Sequence, residues 1–151
     1  MSLGGGGGGA MEQIQQQLQV LEEEKQAIGA EIQAVEREKA DIDEAVEAIE
    51  TLETGDTVQV PLGGGAYVRA EIQDMDEVVV GLGGGYAADR DSDGAIASLQ
   101  NKKETLDDRI EELNAEIAEV DEETTELEQK AQQAQQQQMQ QMQQQMQQGD
   151  E

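Results

Sequence analysis

The sequence predicts a mainly α protein: a long antiparallel coiled-coil hairpin with two central β-hairpins that join an oligomeric β-barrel platform. Three observations predict it. Two stretches, residues 11–54 and 95–134, carry gapless heptad repeats with apolar residues at most seam positions. Between them, residues 56–89 change to short β-prone runs punctuated by two glycine triplets. The chain has no Phe and no Trp, and only Tyr67 and Tyr86 as aromatics, so its apolar residues must work as stripes and not as a thick core.

Residues 1–10 are mostly glycine and are expected to be a flexible tail that buries nothing. In the first helix, 11–54, Ile14, Leu21, Ile28, Val35, Ile42 and Ile49 fill the heptad d positions, and Met11, Leu18, Lys25, Ile32, Lys39 and Val46 fill the a positions. The two seam lysines cost stability and fix register, each passing its ammonium out to neighbouring acids such as Glu22, Glu24, Glu36 and Glu38. Gly55 supplies the stop.

Four strands follow, at 57–60, 66–72, 77–82 and 86–88. Gly63-Gly64-Gly65 and Gly83-Gly84-Gly85, each after a leucine and close to a tyrosine, repeat one design and supply the positive φ that tight reversals need. Asp74-Met75-Asp76 links the two hairpins. Four short strands with open edges are poorly stable alone, so partner chains are expected to close them into a barrel. The residues expected to carry that assembly are Val58, Val60, Tyr67, Val68, Val78, Val79, Val80 and Tyr86.

The second helix, 95–134, sets Ile96, Lys103, Ile110, Ile117, Thr124 and Ala131 at a, and Leu99, Leu106, Leu113, Val120, Leu127 and Ala134 at d. Folding the chain back near residue 74 brings Ile49 beside Leu99 and Ile14 beside Ala134, so the two stripes match in length. Residues 135–151 are a tail of glutamine with Met139, Met142 and Met146.

Lys and Arg number 9 against 35 Asp and Glu, a formal charge of −26. Such a surface repels nucleic acid and anionic membranes, so neither is expected as a partner. Screening shortens the reach of these charges to about 3 Å at molar salt, and the balance suits a salt-filled, halophilic cytoplasm. No signal peptide is evident at the start and no apolar run reaches the ~20 residues that span a bilayer, so the expectation is a soluble cytoplasmic protein.

No catalytic machinery is legible. There is no Cys and no His, and Ser2, Ser92 and Ser98 have no histidine to activate them. The expectation is no enzyme, no cofactor and no metal. Neither glycine triplet leads to a Gly-Lys-Ser/Thr ending, which argues against a phosphate loop. Asp89-Arg90-Asp91-Ser92-Asp93-Gly94 matches the opening of an EF-hand loop, but its twelfth place is Gln100 and not a bidentate Glu. The competing reading is that Ser92 or Asp93 caps the second helix.

The far end of the hairpin carries the clearest functional signal. Thr124, Ala131 and Ala134 replace large residues there, so the seam weakens and Met11, Ile14 and Leu18 become available together with Met139, Met142 and Met146. Methionine is flexible and polarizable and suits surfaces that bind unlike apolar partners, which points to a client-binding tip. The plain alternative for the three distal methionines is a low-complexity tail without a role.

Residues 60–68 (Val60-Pro61-Leu62-Gly63-Gly64-Gly65-Ala66-Tyr67-Val68) and 78–86 (Val78-Val79-Val80-Gly81-Leu82-Gly83-Gly84-Gly85-Tyr86), flanked by two coiled-coil arms, resemble the alpha-type subunits of the archaeal prefoldin family. The resemblance covers about residues 11–134. It implies a hexamer with beta subunits, two alpha and four beta, in which the β-hairpins form a double barrel from which six coiled coils hang. It further implies ATP-independent capture of non-native client proteins at the arm tips and their delivery to a group II chaperonin. Client contacts carry over only to Met11, Ile14, Leu18 and the residues opposite them, because the glycine head and the Gln/Met tail depart from the family pattern. The alternative function is a structural coiled-coil tether or scaffold, which would bind one partner where a holdase serves many. A third class, a calcium-responsive regulator, requires a metal at the loop that opens at Asp89.

The charge balance carries a test. Thermal unfolding followed by circular dichroism is expected at a higher temperature in about 2 M than in about 0.1 M salt, and equal stability in both refutes the halophilic reading.

Overall fold

A computed structural model of the chain describes residues 5–149. Helix α1 (Gly5–Thr51) leads into strands β1 (Thr57–Gly63), β2 (Ala66–Glu71), β3 (Val78–Gly83) and β4 (Tyr86–Arg90), and helix α2 (Ser92–Gly149) follows. The fold is mainly α, two long helices with two small antiparallel β-hairpins. Both helices outrun their heptad repeats. α1 begins at Gly5 where the sequence predicted a tail as far as residue 10, and α2 continues through the glutamines to Gly149. Once a helix is nucleated each further residue adds a hydrogen bond, but these end turns are not held by packing: a Cβ at Gly9 would meet nothing. Residues 1–4 of the expected head and 150–151 of the expected tail lie outside the described residues.

The chain divides into two compact units, one of residues 34–110 and one of the residues up to 33 with those from 111 onward. In the 34–110 unit the helices run antiparallel. Lys39 on α1 pairs with Asp107 on α2, and four residues further along α1 Asp43 meets Lys103, four residues earlier in α2, at 2.7 Å. The heptad rows form the seam: Val35, Ile42 and Val46 from α1 and Leu99 from α2 are buried, each at 9% exposure or less. One strand contributes to this core. Val80 of β3 packs with Ile42, Val46, Ala95 and Leu99, while Ala45, Ile49, Val78, Ile96 and Leu106 lie around the cluster.

Each hairpin turns on glycine. β1 pairs with β2 from Thr57↔Glu71 to Gly63↔Ala66, and the register shift at Leu62 marks a bulge. Gly64 and Gly65 have φ of 60° and 80°, the two positive values that a type I′ turn requires, and Gly63 in the bulge is also positive at 97°. β3 and β4 repeat the arrangement with Leu82 in the bulge and Gly84 and Gly85 at the turn.

A clasp ties the segment between the hairpins to both helix ends. The Met75 N–H donates to Thr54 Oγ1 at 3.0 Å, and the Met75 carbonyl accepts from Ser92 Oγ at 2.7 Å. Asp74 Oδ1 accepts from the Asp76 N–H and closes a local turn. Gly55, at φ 94°, donates its N–H to the Ile72 carbonyl, so the first hairpin starts where α1 has just ended. The cap of α2 is one residue earlier than the sequence predicted. Asp91 Oδ1, not Ser92 or Asp93, accepts from the Gly94 N–H at 2.7 Å, because the Ser92 hydroxyl is already committed to Met75.

In the other unit Leu21 and Ile28 of α1 and Leu113 and Val120 of α2 are buried, with Leu113 fully so. Lys25 pairs with Asp121 at 2.8 Å. The destinations of the seam lysines therefore differ from the sequence expectation, which sent them to glutamates on their own helix. A lysine at an a position leans over the seam, and the aspartate at the facing helix's e position is short enough to receive it. Lys25 is held above the ordinary lysine pKa by its hydrogen bond to Asp121 and by that carboxylate's charge, and Lys39 by its hydrogen bond to Asp107 against a partial loss of hydration. Glu22 and Glu36 act in the same direction through charge alone, as lesser contributors.

Two outcomes follow for stability. Asp91→Ala is expected to lower it by about 1 kcal/mol in chemical unfolding while Asp91→Asn keeps most of it, since either side-chain oxygen can cap. The raised lysine pKa values mean that the paired state is fully favoured below the unfolded lysine pKa, about 10.4, and is lost as pH rises through the folded values. The melting temperature should therefore fall between about pH 9 and about pH 12, and less steeply when Lys25 and Lys39 are both methionine.

Candidate functional site

Two surfaces are apolar and open, one in each unit. The first is the hairpin pair. In β1 and β2 the cross-strand pairs Val58↔Ala70 and Val60↔Val68 share one face, and Gln59↔Arg69 and Pro61↔Tyr67 share the other. Val60, Val68 and Tyr67 are 41%, 46% and 61% exposed, so the chain itself covers neither face. Val58 and Ala70 are half-buried. In β3 and β4 the two faces part company. Val80↔Ala88 and Val78↔Arg90 lie on the face where Val80 enters the core, whereas Val79, on the opposite face, is 68% exposed.

The set of assembly residues predicted from sequence thus separates. Val60, Tyr67, Val68, Val79 and Tyr86 are displayed, while Val80 and much of Val78 are used within the chain. A side chain that is 4% exposed has little left to offer a neighbour, so Val80 is a core residue here. Leu62 and Leu82 join the displayed group, both projecting from the bulges. Their place beside each glycine triplet was visible in the sequence, but a bulge cannot be told there from an ordinary strand residue.

The strands also leave their edges open, for each pairs with a single neighbour among the described residues. β1 and β3 carry no charged side chain to discourage pairing. A two-stranded hairpin with an uncovered apolar face is marginal in water. The arrangement is chemically that of half an interface.

The second surface is on the unit formed by the chain's two ends. Met11, Ile14 and Leu18 are half-buried, in contrast to Leu21 and Ile28 further along the same stripe. Opposite weakening is visible on α2, where Leu127, Ala131 and Ala134 are only half-buried and Thr124 turns its hydroxyl onto the Val120 carbonyl at 2.8 Å. Met139, Met142 and Met146 stand on one helical face and are 65%, 65% and 76% exposed. Val20, at 60%, was not singled out by the heptad reading because it falls on an outward c position; an apolar residue off the stripe was the available signal. It borders an open groove of about 680 Å³ whose floor includes Leu21 and Leu127 and whose rim includes Gln13, Gln17, Glu123 and Lys130.

Neither surface is arranged for catalysis or for metal. Among the described residues there is no group of three or more Asp or Glu placed to hold a cation, and Asp91 of the EF-hand-like segment is engaged as the helix cap. No described helix is long and apolar enough to cross a membrane.

Comparison with known proteins bears on both surfaces. The family model for prefoldin, described as prefoldin subunit, matches residues 21–137. Prefoldin subunit alpha of Haloarcula marismortui is 62% identical over 106 residues, 70% of this chain and 69% of that protein. The subunit of the same name from Halobacterium salinarum is 57% identical over 113 residues, 75% of this chain and 73% of its own length. Among solved structures, a filamentous PFD from Methanocaldococcus jannaschii determined by cryo-EM superposes with a TM-score of 0.52 at 26% identity, covering 78% of this chain and 94% of its own. The crystal structure of the prefoldin beta subunit from Thermococcus strain KS-1 shares the fold, with a TM-score of 0.53 at 22% identity over 82% of this chain and 90% of that one. The match over residues 21–137, the haloarchaeal relatives and the shared two-hairpin, two-helix architecture agree: the chain belongs to the prefoldin family.

Proposed function

We propose that this chain is the alpha-type subunit of a cytoplasmic, ATP-independent holdase, which assembles with beta subunits through its hairpins and captures non-native proteins at the ends of its helices. The observation that carries the reading is the split in its apolar surface. A seam that buries most of its large residues gives way at one end to half-buried and exposed ones, while a separate set is displayed on the hairpins.

The hairpins supply the assembly half. Exposed Val60, Leu62, Tyr67, Val68, Val79, Leu82 and Tyr86 lie on strands with open edges, and burial against other subunits would close both the edges and the faces. By family resemblance the assembly is a hexamer of two alpha and four beta subunits. The helix ends supply the binding half. Met11, Ile14 and Leu18 with Met139, Met142 and Met146 form soft, adaptable apolar surface without a defined pocket for one ligand. Several such ends held on one platform bind by multivalency although each contact is weak. A folded protein has buried the apolar surface they need and is left alone. Transfer of the captured protein to a group II chaperonin completes the reading.

The test combines assembly with holding. The chain mixed with the beta subunit of its own organism should form a heteromeric complex by native mass spectrometry, and the complex should delay aggregation of several unrelated denatured proteins at near-stoichiometric amounts. Delay for one protein alone would favour a tether. Replacing Met11, Ile14 and Leu18 together with Ser should weaken holding several-fold and leave the complex intact, and undiminished holding would remove these three from the binding surface.

A further inference from the structure

A groove of about 330 Å³ runs along β3. It is lined by Val78, Val79, Val80 and Gly81 on one side and by α1 and α2 on the other, all within the 34–110 unit. Side chains of consecutive strand residues point to opposite faces, so a groove touched by four in a row follows the strand's edge and not a face. β3 pairs only with β4, so this edge is unpaired, and every second residue along it directs its N–H and C=O outward. The facing wall is apolar and partly low. Ala45 and Ala48 leave room beside Ile49 and Leu99 for an incoming backbone and a side chain.

One charge stands on this wall, that of Lys102. The three seam lysines Lys25, Lys39 and Lys103 are paired with aspartates, but Lys102 makes no ion pair among the described residues. Its helical neighbours three and four positions away are Ser98, Leu99, Thr105 and Leu106, none of them acidic, in a chain with 35 acids. A cation with no carboxylate of its own, next to an open strand edge and an apolar recess, is complementary to a strand that brings both.

We infer that the open edge of β3 accepts an added β-strand from a partner subunit, and that this strand presents a carboxylate side chain to Lys102. Main-chain hydrogen bonds provide the attachment, the recess beside Ala48 takes an apolar side chain, and the lysine selects strand and register by charge. The inference rests on the heteromeric assembly proposed above and says which edge and which cation govern it.

The experiment uses the full chain and the beta subunit of its organism, with native mass spectrometry and hydrogen exchange read on the same samples. Exchange at residues 78–83 should slow on complex formation. Lys102→Glu should weaken association about tenfold or more and Lys102→Arg should restore it, with unchanged helical circular dichroism in both. Ala48→Leu, at an exposed helical position, should also weaken association by filling the recess. Wild-type affinity in Lys102→Glu, equal loss in the Glu and Arg variants, or unprotected β3 amides in a formed complex would each overturn the inference and leave the assembly reading standing. Protection of β3 in the isolated chain by self-association would overturn it too, making a second copy the occupant. Failure of the wild-type chains to associate would remove the assembly reading itself.

Discussion

The antiparallel seam is the constraint from which the rest follows. With no Phe or Trp, the chain has little with which to build a core wider than two helices, and its buried residues are almost all from heptad rows. The strands gain one place in that core, through Val80, and must find the rest of their burial elsewhere. What in another protein would be a packing defect is here an invitation to assemble. The same economy governs the far ends of the helices, where alanine and threonine in the seam leave neighbouring methionine and isoleucine only half covered.

Much of this was legible because helices and hairpins impose periods on sequence. The d-row residues Leu21, Ile28, Val35 and Ile42 are buried as the heptad count requires, and the two glycine triplets adopt the positive φ their positions implied. What was not legible depended on three-dimensional choices among local equals. Asp91, Ser92 and Asp93 can all cap a helix, and the choice fell to Asp91 once Met75 had engaged the Ser92 hydroxyl. Within Val78-Val79-Val80 the alternation was readable, but which face met the helices was not, so Val80 looked as available as Val79.

The surfaces followed the same rule. Exposed Tyr67, Val79 and Tyr86 were foreseeable as strand residues of a sheet too small to cover itself, whereas Leu62 and Leu82 depended on bulges that only the register discloses. Val20 escaped because a heptad count looks along the stripe and not beside it. The methionines were recognised by spacing, and the helix that carries them through the glutamines gives them a common face.

The lysine–aspartate bridges reach beyond their small energies, for they behave as the teeth of a key. Sliding one helix past the other by a heptad in one direction would set Lys25 against Asn114 and Lys39 against Gln100; sliding it the other way would set Lys39 against Asn114. Each misalignment trades at least one carboxylate for a neutral amide, although the apolar rows alone would tolerate the shift. Coarse attraction thus comes from the greasy stripe, and the three bridges proofread the alignment.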